Sequence, residues 1–268
     1  MQSKGSSLKI GIFIVGIITG ILFTRFGGGF FTSQSKLPQT KVSDGSEYSK
    51  RQPVSSDLTK LYPKVITRNG NPKNKTITLS FDDGPDLKYT PKILDILKKY
   101  NVKATFFVVG SQIEKYPTIF KRMIREGHDI ANHGYRHLKI TELTANQLKS
   151  QLELNTALMK KYKAAGRLVF RPPYGALDPT TIQTISKHGY KIALWTIDSR
   201  DWRSLNKSQV IKNVVSNFKN GYIVLQHCAA ESKKENLSGS VQALPEIIKA
   251  ARKQGFRLVT VSQLLESS

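Results

Sequence analysis

Cysteine is nearly missing from this sequence. Cys228 stands alone among 268 residues, which excludes an intrachain disulfide and leaves the fold to its hydrophobic core and, at most, a metal. Negative charge is also scarce: 19 Asp and Glu face 42 Lys and Arg, a formal net charge of +23. A field of that sign draws a protein toward polyanions. The usual marks of a nucleic-acid binder are nevertheless absent, with no zinc-finger spacing, no RNP-like aromatic motif and no basic leucine zipper. Nucleic acid is therefore set aside as a partner. There is no internal repeat, and nothing calls for an obligate protein partner.

Long apolar runs are scarce too. The one that exists, Ile10 to Phe23, is fourteen residues broken only by Gly and Thr19, short of the roughly 20 that cross a bilayer as a helix. Its length suits a signal-peptide core, but no small-x-small cleavage site follows. Phe26, Phe30 and Phe31 can extend it to the membrane interface. Lys4 and Lys9 before it, against Arg25 after it, favour a cytoplasmic N-terminus. Residues 1–31 are thus expected to be an uncleaved single-pass anchor in the cell membrane with the bulk outside the cytoplasm, secretion after cleavage being the alternative. Residues 32–60, rich in Ser, Lys, Gln, Pro and Asp, read as a flexible linker. In that setting the positive charge fits anionic wall polymers or a lipid surface.

From residue 61 to the end, strand-like and helix-like patterns alternate. Thr76 to Phe81 has a period of two, with Ile77, Leu79 and Phe81 on one side. Pro91 opens a helix carrying Ile93, Leu94, Leu97 and Tyr100 on one face. Ala104 to Val109 is a short apolar run suited to a strand buried on both faces. Helices are expected at Ile113 to Arg125, from Thr144, from Pro179, at Ser208 to Phe218 and at Val241 to Gln254. Strands are expected near His128 to Ala131, Leu168 to Phe170, Lys191 to Ile197, Tyr222 to Leu225 and Arg257 to Val259. Repeated βα units imply a parallel sheet covered by helices. About seven of them in roughly 200 residues predict an α/β fold, a distorted (β/α) barrel with its chemistry at the strand ends.

Polar motifs fall at those ends. Asp82 and Asp83 follow the first strand in Ser80-Phe81-Asp82-Asp83-Gly84-Pro85; adjacent carboxylates repel, although Asp-Asp-Gly-Pro also makes an ordinary solvated turn. His133 and His137, four residues apart, sit on one side of a helical turn and can grip one cation. A further carboxylate would complete a two-His-one-carboxylate set with an open position. The third motif is Arg171-Pro172-Pro173-Tyr174-Gly175, whose double proline fixes where Arg171 points. The fourth is Asp198-Ser199-Arg200-Asp201-Trp202. The fifth, Ile223 to His227, ends a buried strand on a histidine. His128 and His188 read as structural, and Trp195 as a packing residue.

These five stretches resemble, in order, the motifs of the polysaccharide deacetylases (carbohydrate esterase family 4, the NodB-homology family), over roughly Thr76 to the C-terminus. The resemblance implies a distorted (β/α) barrel and a metal-dependent N-deacetylase. It implies one divalent cation, zinc first and Co2+, Ni2+ or Mn2+ as alternatives, held by Asp83, His133 and His137. The cation polarises the acetyl carbonyl and acidifies water there. Asp82 would be the general base and Arg171 the residue that keeps it ionised. The Tyr174 backbone N–H would stabilise the oxyanion. His227 would be the general acid, its pKa raised by Asp201. Trp202 and Leu225 would wall the acetyl pocket, and Tyr174 would also touch substrate. The expected substrate is an N-acetylated cell-surface polysaccharide, first peptidoglycan N-acetylglucosamine or N-acetylmuramic acid. Chitooligosaccharide, poly-N-acetylglucosamine, acetylated xylan and a catalytically silent glycan-binding role are the alternatives. Two departures stand out: Gly134 replaces the usual Ser or Thr, and Cys228 replaces a common Asp.

Overall fold

A computed structural model describes residues 56–164 and 168–267. The expected anchor, and the linker up to residue 55, lie outside the described residues. Among the described residues, no helix is long and apolar enough to cross a membrane.

The chain enters through α1 (Ser56–Leu61), within the last residues expected as linker, and β1 (Ile66–Thr67). Then come β2 (Thr76–Asp82), α2 (Thr90–Lys99), β3 (Thr105–Val108), α3 (Gly110–Lys115), α4 (Pro117–Arg125) and β4 (Asp129–Asn132). The second half carries α5 (Ala145–Lys161), β5 (Val169–Phe170), α6 (Pro179–Lys187), β6 (Lys191–Ala193), β7 (Ile197–Asp198), α7 (Lys207–Val215), β8 (Tyr222–His227), α8 (Ser238–Lys253), β9 (Arg257–Val259) and α9 (Val261–Glu266). The strands run parallel in the order β1-β6-β5-β4-β3-β2-β8-β7, with β9 beside the start of β2.

This is the distorted barrel expected, with nine strands among the described residues instead of about seven. Two differences account for the number. β1 is too short to leave a periodic signal. The expected strand Lys191 to Ile197 is cut in two because it changes partners midway: the Leu194 N–H donates to Thr67 O (2.8 Å), whereas the Thr196 N–H donates to Ile223 O (3.0 Å). The edge strands β1 and β7 share no ladder. Beyond β1, an isolated bridge joins Asn69 to Tyr222 and the Gly70 N–H donates to Gly221 O (2.8 Å).

Strand parity sorts the side chains. Ile77, Leu79 and Phe81 pack with Ile93, Leu94, Leu97, Phe106 and Val108 under the helices. The alternate positions face a smaller interior cluster containing Phe107, Ala131, Val169, Ala193 and Ile223. All seven residues of β2 are buried, so its polar face is an interior face, and Asp82 stands at its end. The expected single helix Ile113–Arg125 is two, α3 and α4, broken at Tyr116 (φ −129°, ψ 54°). Pro117 disfavours helical geometry in the residue before it and supplies no N–H. Thr144 caps α5 with a reciprocal Gln147 bond.

Candidate active site

Because the strands are parallel, their C-terminal ends share one rim, and register decides which residues meet there. Asp82 and His227 end the adjacent strands β2 and β8 and are direct Cα partners. Asn132 and Phe170 pair at the ends of β4 and β5, which sets the next residues, His133 and Arg171, side by side. Three rim residues hold positive φ: Asp83 (75°), His137 (53°) and Tyr174 (59°). That backbone region is costly for residues other than glycine and persists only where surroundings enforce it.

Asp83, His133 and His137 each offer a ligand atom, and these atoms lie within 4.8 Å of one another. Asp83 Oδ1 is 3.3 Å from His133 Nε2 and 3.1 Å from His137 Nε2. It is buried, yet meets hydrogen-bond geometry with neither. The outer ring nitrogens set how the two rings stand. His133 Nδ1 sits 2.7 Å from the Arg171 carbonyl oxygen, and His137 Nδ1 sits 3.2 Å from Glu231 Oε1. Both partners are acceptors, so each Nδ1 carries a proton, and Nε2 is the ring atom turned toward Asp83, where a cation would take its lone pair. Three ligand atoms of this kind converging on one point fit a divalent cation, which would displace any proton on the ligating ring nitrogens. The local field favours positive charge as well. Burial works against charging His137, yet Asp83 and Glu231 push its pKa up to about 10. Burial likewise opposes ionisation of Asp83, but the histidines hold its carboxyl well below the usual range.

Asp82 flanks the triad on one side. Arg171, 0% exposed, donates from Nη1 to Asp82 Oδ1 (2.7 Å) and Ser80 Oγ (2.9 Å), and from Nε to Ala193 O (3.0 Å). Its guanidinium carbon lies 3.8 Å from the centre of the Phe107 ring. Burial lowers the Arg171 pKa and Asp82 counters it. His227 stands beside Asp82 at the end of the neighbouring strand. Its Nδ1 is 2.7 Å from Asp201 Oδ1, and its backbone N–H donates to Asp201 Oδ2 (2.9 Å). Burial disfavours charge on Asp201, but His227 beside it leaves the carboxyl below its ordinary pKa. Half-buried Trp202 follows Asp201, and buried Leu225 shares the His227 face of β8. His128 and His188 are structural as expected: His128 Nδ1 accepts the Ala104 N–H (3.3 Å), and His188 Nδ1 meets Thr184 O (2.8 Å). Trp195 packs with Phe170 and Ile192.

The two departures have clear physical outcomes. The loop holding Gly134 is braced without a hydroxyl there. Asn132 Oδ1 accepts the Gly134 N–H (2.7 Å), Asn155 Nδ2 donates to Gly134 O (2.9 Å), and Gln151 Oε1 accepts the N–H groups of Tyr135 (3.1 Å) and Arg136 (2.8 Å). Cys228, one residue past His227, turns into the helix-side core, where its thiol donates to Asp82 O (3.2 Å). Burial pushes the Cys228 pKa well up. The motif reading missed Glu231, whose carboxylate also accepts the Tyr174 hydroxyl. It lies in the loop after β8, which has no periodicity and no fixed spacing to a motif. Its neighbour Glu235 is buried, and burial pushes its pKa up to about 7.

Comparison with known proteins agrees with this geometry. A family model described as polysaccharide deacetylase matches residues 69–193. A peptidoglycan-N-acetylglucosamine deacetylase of Bacillus cereus is 36% identical over 198 residues, 74% of this chain and 71% of the relative. Peptidoglycan-N-acetylmuramic acid deacetylase PdaC of Bacillus subtilis is 36% identical over 73% of this chain and 40% of its own length. Among solved structures, the Bc1960 peptidoglycan N-acetylglucosamine deacetylase superposes with a TM-score of 0.74 at 33% identity, covering 81% of this chain and 98% of that one. With motif order, barrel and relatives in agreement, this chain belongs to the polysaccharide deacetylase family, metal-dependent hydrolases of N-acetyl groups.

Proposed function

We propose that this chain deacetylates peptidoglycan, removing acetyl groups from its N-acetylated sugars outside the cytoplasm. The observation that carries the proposal is the Asp83, His133 and His137 cluster, whose ligand atoms lie within 4.8 Å, with the Asp82–Arg171 and His227–Asp201 pairs at the ends of neighbouring strands beside it. A divalent cation held by Asp83, His133 and His137, zinc by ligand chemistry, would polarise the acetyl carbonyl and acidify water. The chain's own residues do the rest. Asp82, oriented by the Arg171 guanidinium 2.7 Å away, takes the proton of the attacking water. The Tyr174 backbone N–H, held at a left-handed φ, receives the oxyanion. His227, oriented by Asp201, gives its proton to the departing sugar amine, releasing acetate. Trp202 and Leu225 enclose the methyl group. Relatives named for N-acetylglucosamine and for N-acetylmuramic acid both support a peptidoglycan substrate. The apolar run from Ile10 to Phe23 and the flanking Lys4 and Lys9 support a membrane anchor that holds the domain against the wall.

The deciding experiment measures acetate release by the full chain from purified peptidoglycan, chitin oligomers and acetylxylan, with and without a chelator. Mass analysis of the digested muropeptides identifies the deacetylated sugar. The proposal requires chelator-sensitive release that is fastest on peptidoglycan. Faster release from chitin oligomers or acetylxylan moves the substrate, and release from none overturns the reading. Protease shaving of intact cells tests the location, since only an external domain is degraded.

A further inference from the structure

Three catalytic loops meet at one carboxylate. Glu231, in the loop after β8, lies 3.2 Å through Oε1 from Nδ1 of His137, in the loop after β4. The same oxygen accepts the hydroxyl of Tyr174, from the loop after β5. The Glu231 backbone N–H donates to Glu235 Oε2 (2.7 Å), which ties the loop after β8 to itself. The Tyr174 and His137 rings meet edge to face with centroids 4.8 Å apart. The two imidazoles of the cluster are therefore braced differently. His133 is held by a backbone carbonyl that no substitution removes, whereas His137 is held by a side chain.

We infer that Glu231 is a positioning residue for deacetylation: it fixes the His137 tautomer that presents Nε2 beside Asp83, and through the Tyr174 hydroxyl it holds the strained backbone that presents the Tyr174 N–H. The inference rests on the function proposed above and assigns a part to a residue outside the five motifs. Its geometry matches a general pattern, in which a metal-binding imidazole donates its other N–H to an acceptor that sets ring orientation and basicity. Tyr174 gives the second half. At φ 59° its backbone is held by tertiary contacts, and the His137 ring and Glu231 are two of those its side chain makes. Neither partner can drift without the other.

The test uses the full-length chain and reads zinc affinity by competition with a chromophoric chelator, alongside kcat at saturating zinc. Glu231→Ala is expected to weaken zinc binding about 10- to 100-fold and to lower kcat. Tyr174→Phe removes only the hydroxyl tie, so kcat falls while zinc affinity stays within about twofold of the parent. Glu231→Gln keeps an acceptor oxygen and falls between parent and alanine variant in both readouts. A Glu231→Ala protein that binds zinc like the parent and turns over like the parent overturns the inference alone. A parent chain that binds no zinc overturns the proposed function with it. If Glu231→Ala fails to fold, Glu231→Gln and Tyr174→Phe decide, and parental zinc affinity and kcat in both overturn the inference.

Discussion

β4 starts one residue after His128 and leads into the loop that carries His137, and the surroundings of its two ends are opposite. At the lower end, His128 retains 1% side-chain exposure. Burial, with Lys103 and Arg122 nearby, pushes its pKa down to about 4 against the weaker pull of Glu126. At the upper end, burial also opposes charge on His137, but Asp83 and Glu231 overcome it and push its pKa up to about 10. Burial is common to both, so the neighbouring charges decide. The same contrast holds for carboxylates. Lower-end Asp129 is saturated with donors, from Thr105 Oγ1 (2.9 Å), Ser262 N–H (3.1 Å) and Ser262 Oγ (2.8 Å). Upper-end Asp83 keeps a buried oxygen without a hydrogen bond, facing Nε2 of two histidines. At one end the carboxylate is closed off by neighbouring donors, and the other end is arranged around a cation site.

The strongest way to break this contrast is at Asp82. Asp82→Asn keeps the shape and removes the proton acceptor, so acetate release should fall about 100- to 10,000-fold. His128→Gln at the other end should leave the rate within about twofold, since it touches no substrate. An Asp82→Asn enzyme retaining a tenth of parental turnover would contradict the base role.

Stability should show the same polarity. Arg171 is fully buried against Asp82, and Arg171→Met leaves that carboxylate without its counter-charge. The expected cost is about 3–5 kcal/mol in urea unfolding. Arg125, exposed on the rim of the lower-end cavity, should change stability by under about 0.5 kcal/mol when replaced by Met. Equal losses would mean that the upper end is no more dependent on its charges than an ordinary surface.

Most of the upper end was legible in the sequence, because its chemistry is written in short motifs with fixed spacing. Asp82 and Asp83 follow a period-two strand, His133 and His137 are four apart, and parallel strands must bring such ends to one rim. Glu231 was not legible, since only the folded path of the loop after β8 brings it to His137. The break at Tyr116 could have been foreseen from Pro117 alone, whereas the helical period on either side masked it. The split between β6 and β7 could not, because partner exchange at Leu194–Thr196 is a property of closure and leaves no periodic trace. Gly134 looked like a lost brace, and the brace proved to be Asn132 with Gln151 and Asn155 of α5, side chains whose i, i+4 spacing on α5 puts them on one face.

The lower end gives the next prediction, a pH effect. His128 titrates near 6.5 in an unfolded chain and near 4 in the fold, so below pH 6.5 the unfolded state takes up the proton first. The stabilisation present above pH 6.5 is lost as the pH falls toward about 4, by up to about 3 kcal/mol. Lys103, Arg122 and Glu126 face the ring, with Lys98 and Arg125 on the cavity rim. Urea unfolding of the chelated protein at pH 7 and pH 4 should show this loss in the parent and not in His128→Gln. Equal pH slopes in the two proteins would place the proton elsewhere.

The smallest effect lies directly behind the upper end, where Cys228 follows His227 but faces the other way. Were it part of the rim, replacing it would alter turnover and a thiol reagent would reach it readily. Buried at 0% exposure with its thiol on Asp82 O, it should instead be labelled only as fast as the domain opens. Cys228→Ser preserves the donor and nearly the volume. Acetate release should then stay within about twofold, and stability should fall by about 1 kcal/mol. Rapid labelling of the folded enzyme, or a turnover loss beyond the stability loss, would move Cys228 from the core to the rim and blur the division between the catalytic end and the packing that supports it.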